Sequence, residues 1–362
     1  MIRRLTLTAL AVLAGLPALA QSNEIHVYNW SDYIAPDTIE KFEKATGIKV
    51  VYDVYDSNEV LEAKLLAGSS GYDVVVPTSQ FLQRQIGAGV YQALDRSKLP
   101  NLANMDPELM EKAAAYDPGN EHAAIWMWGT TGIGYNAEAV EERLGADAPT
   151  DSWALVFDPQ YAEKLKDCGI SFLDSSSDML PSALAYLGLD PTSSKAEDME
   201  AAAALLMKVR PYVRYFHSSQ YISDLANGEI CVAVGFSGDV FIAADRAVQA
   251  NNGIEIAYLV PKEGAQQWFD MAAIPADAPN PEGALAFINF VMEPQIAADI
   301  TNHVWYANAN AASWPLIDPE ISGDPSIFPP AEVRAKLFPT VAHDARTERL
   351  LTRLWTGLKT GQ

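Results

Sequence analysis

The chain has 362 residues, 49% of them hydrophobic and 10% aromatic, so it carries enough apolar side chains for real cores and exceeds the roughly 100 to 200 residues of one domain. Its formal net charge of −22 argues against a nucleic-acid or anionic-lipid surface and suits one that gathers cations, although solubility or a saline habitat would select the same surface. Two cysteines without a Cys-x-x-Cys pair and five scattered histidines give no metal-ligand spacing, so no metal or other cofactor is expected.

At the N-terminus, Arg3 and Arg4 precede an apolar run from Leu5 through Leu19 that ends in Ala18-Leu19-Ala20 before Gln21. This pattern reads as a secretory leader, residues 1–20, cleaved near Ala20. The run is too short for a good membrane span, and no other uninterrupted apolar segment approaches the ~20 residues a spanning helix needs. Removing Arg3 and Arg4 takes the net charge from −22 to −24. With no Cys at the cleavage point to take a lipid, the mature chain is expected to be free in the periplasm. In such an oxidising compartment the even count favours one Cys168–Cys231 disulfide over two free thiols.

From Ile25 onward β-rich runs alternate with helical patterns. Ile25 to Trp30 reads as a strand, and Pro36 to Ala45 as a helix with Ile39 and Phe42 inward and Gly47 as its stop. Lys49 to Val54 is the next strand; Ser57 caps a helix carrying Val60, Leu61 and Leu65 and closed by Gly68; Tyr72 to Val76 is an apolar strand suited to a buried sheet. A Gly-rich stretch, Gly129 to Asn136, follows, and Gly129 to Gly134 is the expected first crossing between two lobes, weighed equally against an ordinary tight loop. Strands resume at Ile170 to Leu173, Val213 to Phe216, Cys231 to Val234 and Ile254 to Val260, and one long helix is expected from Pro281 to about Thr301. Cys168 and Cys231 each stand at the start of a predicted strand, so neighbouring positions in one sheet would bring them within bridging range. The alternation is that of an α/β layer fold. The expected lobes are 21–129 with about 249–313, and about 130–248 with about 314–362.

Enzyme motifs are scarce. Gly129 to Gly134 lacks dinucleotide-binding spacing, no phosphate-binding loop occurs, and Gly235-Phe236-Ser237-Gly238-Asp239 has Asp where a nucleophile elbow needs Gly. A carboxylate-pair hydrolase stays open only because forty-seven acids make chance pairs unavoidable.

What recurs is an Asp beside large aromatic residues at predicted strand ends: Trp30-Ser31-Asp32-Tyr33, Phe236-Ser237-Gly238-Asp239 and Trp268-Phe269-Asp270, with Tyr306 just past the long helix. In α/β sheets ligands bind beyond the carboxyl ends of strands. Aromatic faces attract ammonium groups and carboxylates give them charge-assisted hydrogen bonds, so the chemistry suited to these clusters is recognition of an organic cation with two ammonium ends. No Arg lies in any of them to take a substrate carboxylate. Each cluster singly is more often core packing with a solvated Asp; three together shift that balance.

Tyr28-Asn29-Trp30-Ser31-Asp32-Tyr33-Ile34-Ala35-Pro36 closely resembles the start of bacterial periplasmic putrescine-binding proteins. The likeness continues in Tyr52 to Glu62, Thr130 to Asn136, Arg214 to Tyr221 and Tyr306 to Asn310, and so runs through most of the mature chain. It implies a two-lobed, type II-like periplasmic binding fold that captures a polyamine and feeds an ATP-driven (ABC) importer, with an inner-membrane permease and its ATPase as partners, as a monomer. By that resemblance Trp30, Tyr33, Phe236, Trp268 and Tyr306 box the methylene chain; Asp239 and Asp270 are the main carboxylate partners; Ser31 and Thr78 add polar contacts; Asp32 and Asp178 assist. The resemblance also implies one disulfide, matching Cys168 with Cys231. Departures fall on the box: Thr78 where Ser is usual, Asp178 for Glu, Phe236 where putrescine binders commonly carry Trp, and Trp268 where putrescine-preferring members tend to have Phe and spermidine-preferring members Trp. Putrescine is favoured on overall similarity, with spermidine close behind. A polyamine-sensing receptor subunit would bind the same amine and contact a sensor instead of a permease.

Overall fold

The computed structural model describes residues 23–361; the expected leader, residues 1–20, lies outside them. The described residues form ten strands: β1 (Glu24–Trp30), β2 (Lys49–Tyr55), β3 (Val74–Val75), β4 (Ala123–Asn136), β5 (Ile170–Phe172), β6 (Val213–Phe216), β7 (Val232–Phe236), β8 (Ile256–Leu259), β9 (Gln266–Ala273) and β10 (Phe338–Pro339). They order as β2-β1-β3-β9-β4-β7-β5-β6, with β8 on β4 and β10 on β9. At one end β1 lies between β2 and β3 in parallel; at the other β5 lies between β6 and β7 in parallel; antiparallel pairings through β4 and β9 join the two. Helices connect the parallel strands and cover the sheet faces, the arrangement expected of α/β layers.

Local sequence explains many of the boundaries. Along β1 every second side chain, Ile25, Val27 and Asn29, is buried, the period-two pattern of a strand with one face inward. The first helix, Thr38–Thr46, buries Phe42 and stops at Gly47, whose φ of 74° is the left-handed conformation that glycine adopts without strain. Ser57 caps the helix Asn58–Leu66 by accepting the Val60 N–H at 3.3 Å, as the sequence suggested, and Leu61 and Leu65 face in while Val60 is exposed.

Three elements differ from expectation. The run Tyr72 to Val76 pairs only at Val74–Val75, because its neighbours leave the ladder for loops. The long helix is two, Pro281–Val291 and Pro294–Val304, since Pro294 has no N–H to continue the ladder and holds Glu293 extended, at φ −64° and ψ 135°. The Gly-rich stretch is not a loop but the second half of the fourteen-residue β4. Its glycines answer to packing: a Cβ on Gly129 would fall 2.8 Å from the Trp268 ring, one on Gly132 2.4 Å from the Leu259 carbonyl, and one on Gly134 2.6 Å from Val240.

Two hydrophobic cores flank this stretch. One gathers buried side chains from Ile25 to Trp128 and from Trp268 to Ile327; the other runs from Ile133 to Leu259 and adds Leu351, Trp355 and Leu358 of the C-terminal helix Ala345–Thr360. The chain passes from one core to the other between Trp128 and Ile133, inside β4. Leu259 packs in the second core because β8 pairs with the second half of β4, and Ile317, Ile321 and Ile327 pack in the first, each on the side opposite to the expected one. The second core carries the Cys168–Cys231 disulfide, Cα atoms 5.5 Å apart, at the entrances of the neighbouring strands β5 and β7. Among the described residues no helix is long and apolar enough to cross a membrane.

Candidate functional site

A cavity enclosing about 680 Å³ of atom-free space, its mouth included, lies between the two cores. Ten of the eleven anticipated residues line it: Trp30, Ser31, Tyr33, Thr78, Asp178, Phe236, Asp239, Trp268, Asp270 and Tyr306. The exception is Asp32. It follows β1 in a left-handed conformation (φ 53°) and turns outward, where its Oδ1 accepts from Arg246 at 2.8 Å. Since Arg246 lies on the helix Ser237–Ala250 that packs in the second core, this ion pair links the two sides of the cleft instead of lining the cavity.

The aromatic rings form a connected wall. Trp30 meets Phe236 edge-on at 6.5 Å between centroids, Phe236 meets Trp268 edge-on at 5.6 Å, Trp268 tilts against Tyr306 at 5.6 Å, and Tyr306 meets Tyr33 edge-on at 5.0 Å. Such offset pairs are favourable for rings whose edges are positive and faces negative. Trp30 is fixed by donating its indole N–H to the Val76 carbonyl at 2.9 Å.

Asp239 sits in the first turn of its helix, just beyond the carboxyl end of β7, and is 8% exposed. It accepts hydroxyl hydrogens from Tyr306 at 2.6 Å and Tyr221 at 2.7 Å. Burial still pushes its pKa up to about 6. Asp270 was expected at a strand end but lies inside β9, opposite the irregularity between Ile125 and Met127 of β4. Only 4% exposed, it accepts from Tyr33 at 2.9 Å and Thr78 at 2.7 Å, and burial, with Asp178 and Asp239 adding repulsion, pushes it up to about 7. Asp178, in the first turn of the helix Ser176–Tyr186, accepts from Thr131 at 2.8 Å and Ser175 at 2.5 Å; burial raises it too.

Among the described residues the side-chain donors to these three carboxylates are neutral hydroxyls, and no Lys, Arg or His lines the cavity. Two buried acids and a half-buried third, with no cation among the described residues lining the cavity beside them, carry a large desolvation penalty, which a cation entering between them removes. Nor, among the described residues, do three or more His, Cys, Asp or Glu side chains group to hold a metal ion.

The model of the bacterial extracellular solute-binding protein family matches residues 37–329. The chain belongs to that family. It is 58% identical over 358 residues to the putrescine-binding periplasmic protein SpuD of Pseudomonas aeruginosa, covering 99% of this chain and 98% of that one, and 54% identical over 354 residues to PotF of Escherichia coli, another putrescine-binding periplasmic protein, covering 98% and 95%. Among solved structures, a spermidine/putrescine ABC transporter substrate-binding protein, PotD of Streptococcus pneumoniae, superposes with a TM-score of 0.74 at 27% identity, covering 93% of this chain and 99% of that one. The two-lobed periplasmic binding fold is thus this solute-binding protein's architecture, and such components bind and do not catalyse.

Sequence reasoning missed part of the solute-binding protein's cavity wall. Asp56, Ser57, Asn58 and Glu59 follow the carboxyl end of β2, the same strand-end rule that found Trp30 and Asp239, and Gln80 follows β3. Asn58 holds Thr78 in place through paired bonds at 2.8 and 3.0 Å. Tyr221 supports Asp239 and also accepts the Phe236 N–H at 3.0 Å; its position in a helix gave no hint of this.

Proposed function

We propose that this protein captures a polyamine in the periplasm, putrescine before spermidine, and delivers it as a monomer to an ABC importer's inner-membrane permease and ATPase, after a leader is removed near Ala20. The observation that carries the reading is the cavity itself: an aromatic wall with Asp239 and Asp270 buried in it and, among the described residues, no cationic side chain lining it. The two ammonium ends of the ligand go to Asp239 and Asp270, the methylenes lie against Trp30, Tyr33, Phe236, Trp268 and Tyr306, and Ser31, Thr78 and Asp178 complete the polar contacts. Asp32 acts at the mouth through Arg246.

Binding closes the lobes about the crossing in β4, where one core ends at Trp128 and the other begins at Ile133. An affinity of order micromolar corresponds to about −8 kcal/mol, which desolvated ion pairs and cation–π contacts supply net of closure costs. The relatives named for putrescine and spermidine/putrescine binding support the ligand class. Titration calorimetry of ligand-stripped mature protein tests the proposal: one-to-one binding of putrescine is expected, and folded protein that binds neither putrescine nor spermidine would overturn it.

A further inference from the structure

The turn that delivers Tyr306 to Asp239 has an unusual backbone. The helix Pro294–Val304 ends at Trp305, whose φ of 58° and ψ of 21° put it in the left-handed region and whose N–H closes on the Thr301 carbonyl at 2.9 Å. Glycine takes this place at the end of the first helix, as Gly47, and of the C-terminal one, as Gly361, because in the left-handed region a Cβ crowds the carbonyl oxygen that follows it. Among the described residues five other than glycine have positive φ, and Trp305 is the one aromatic residue of the five. Strain of this kind persists only where the surroundings over-determine it, and it gathers at functional sites.

Trp305 does not line the cavity. Half-buried, it packs against both hydrophobic cores. Its ring stacks on that of Phe241, with centroids 6.0 Å and planes 15° apart. Phe241 stands two residues beyond Asp239 on the helix Ser237–Ala250 and also meets the Tyr258 ring at 5.9 Å. The Tyr258 hydroxyl in turn donates to the Thr130 carbonyl at 3.0 Å, inside the crossing of β4. Successive side chains of an extended strand point apart. The left-handed turn instead sends two successive rings to one helix, Trp305 onto Phe241 and Tyr306 onto the first turn, where Gly238 leaves room that a Cβ would fill. A turn beside the first core thus grips the Asp239 helix of the second at two points.

We propose that Trp305 is a positioning residue for the binding site: its left-handed turn and its stack on Phe241 fix the Tyr306 hydroxyl on Asp239, so that the carboxylate meets an incoming ammonium already oriented, although Trp305 touches neither. The ligand class rests on the polyamine reading above. Orienting the acceptor beforehand removes part of the ordering cost of binding. Asp239 is faced by Tyr306 and Tyr221, which bond it, by Asp32 and Arg246, and by Asp270. Loosening the turn weakens the Tyr306 bond alone. That bond favours the ionised carboxylate, so its loss raises the Asp239 pKa further, and the pH below which affinity falls moves up with it.

The test is calorimetry of the mature protein with putrescine between about pH 5 and pH 8, run on wild type, Trp305→Ala, Trp305→Phe, Phe241→Ala and the Trp305→Ala/Phe241→Ala double variant, with melting temperatures measured to confirm folding. Trp305→Ala is expected to weaken putrescine about tenfold at pH 7 and to move the lower pH step, that of Asp239, upward by about half a pH unit. Trp305→Phe, which keeps a stacking ring, should stay within about threefold of wild type, and the double variant within about threefold of the worse single one, since both substitutions break the same contact. A folded Trp305→Ala that binds within twofold of wild type, a loss with no movement of the pH step, or losses that multiply in the double variant would each overturn the role and leave the polyamine reading standing. A wild type that binds neither putrescine nor spermidine would remove that reading and the role together.

Discussion

Tyr306, buried in the first core, donates its hydroxyl hydrogen to Asp239, which stands on a helix of the second, at 2.6 Å. The same hydroxyl accepts the Asp239 backbone N–H at 3.1 Å, so the carboxylate is aimed by a residue on the far side of the cleft. Replacing Asp239 with Ala leaves a buried ammonium unpaired and two tyrosine hydroxyls without their acceptor. Truncating one partner of such a buried charge pair costs about 2 to 5 kcal/mol, so putrescine affinity is expected to fall roughly 30-fold or more. Calorimetry that finds it unchanged within a factor of two would remove Asp239 from the site.

The acidity of the two principal carboxyls makes binding pH-dependent. Asp239 and Asp270 titrate near 6 and 7 in the ligand-free protein, above their ordinary 3.8, and a bound dication favours their ionised forms. Binding therefore releases protons around pH 6, with affinity full above about pH 7 and lost as pH falls through 7 and then 6. At pH 5 putrescine should bind at least tenfold more weakly than at pH 8, and calorimetry in buffers of different ionisation enthalpy should detect the released protons. The same shifts act on folding with the opposite slope. The unfolded chain gives up these protons near pH 4 while the ligand-free fold retains them, so the stability these two groups contribute falls as pH rises from about 4 to 7. Ligand-free melting temperatures that show no such trend, with binding flat across the range, would contradict both assignments.

Much of this site was readable in advance for a physical reason: rings next to an acid just past a strand leave a chemical mark in the chain, as at Trp30 and Asp239. Asp270 was found by that mark although its position is mid-strand, where the irregularity in β4 and the crossing of β4 with β9 set it facing the cavity. Asp32 carried the same mark and turned outward because its backbone adopts φ 53° and Arg246 waits 214 residues away, a pairing no local pattern encodes. Glu59 and Gln80 were silent for the opposite reason, being polar residues on helices that reach the cavity wall only through the fold. The break at Pro294, by contrast, was legible and overlooked, since proline in a helix interior has one consequence.

Trp268 sets the width of the box between Phe236 and Tyr306. Replacing it with Phe retains an apolar wall and frees the space of one ring, and its buried indole N–H has no partner to lose. The ratio of putrescine to spermidine affinity should shift by several-fold toward the diamine, by paired titrations; equal changes for both ligands would deny Trp268 the role of selector.

The Asp32–Arg246 pair has side chains 44% and 38% exposed, so solvent screens most of its attraction. Exposed pairs contribute about 0.2 to 1 kcal/mol. Arg246→Ala should accordingly raise the ligand's dissociation rate by no more than about fivefold, and the difference from wild type should shrink at high salt. Stopped-flow displacement would show it; a loss as large as that of Asp239→Ala would place Arg246 in the binding cavity instead of at its mouth.

The disulfide closes a loop of sequence separation 63, which by chain entropy restrains the unfolded state by roughly 4 kcal/mol. Reduction should lower the melting temperature of the ligand-free protein while leaving its far-ultraviolet spectrum intact at room temperature. Two thiols that react with an alkylating agent before any reductant is added would show that the bridge does not form.

Past the irregularity between Ile125 and Met127, β4 stays paired with β9 from Met127 opposite Asp270 to Thr131 opposite Gln266, and hands over to β7 at Thr131 without leaving the ladder. Two halves joined by such a ribbon have no axle on which to swivel; they are mounted on a leaf spring. Every opening of the cleft flexes paired backbone, and Gly129 and Gly132 stand in the flexing span with ring and carbonyl pressed against the places where their side chains would be. In the closure proposed above, this paired span is where the ribbon bends, with no unpaired backbone there to turn about.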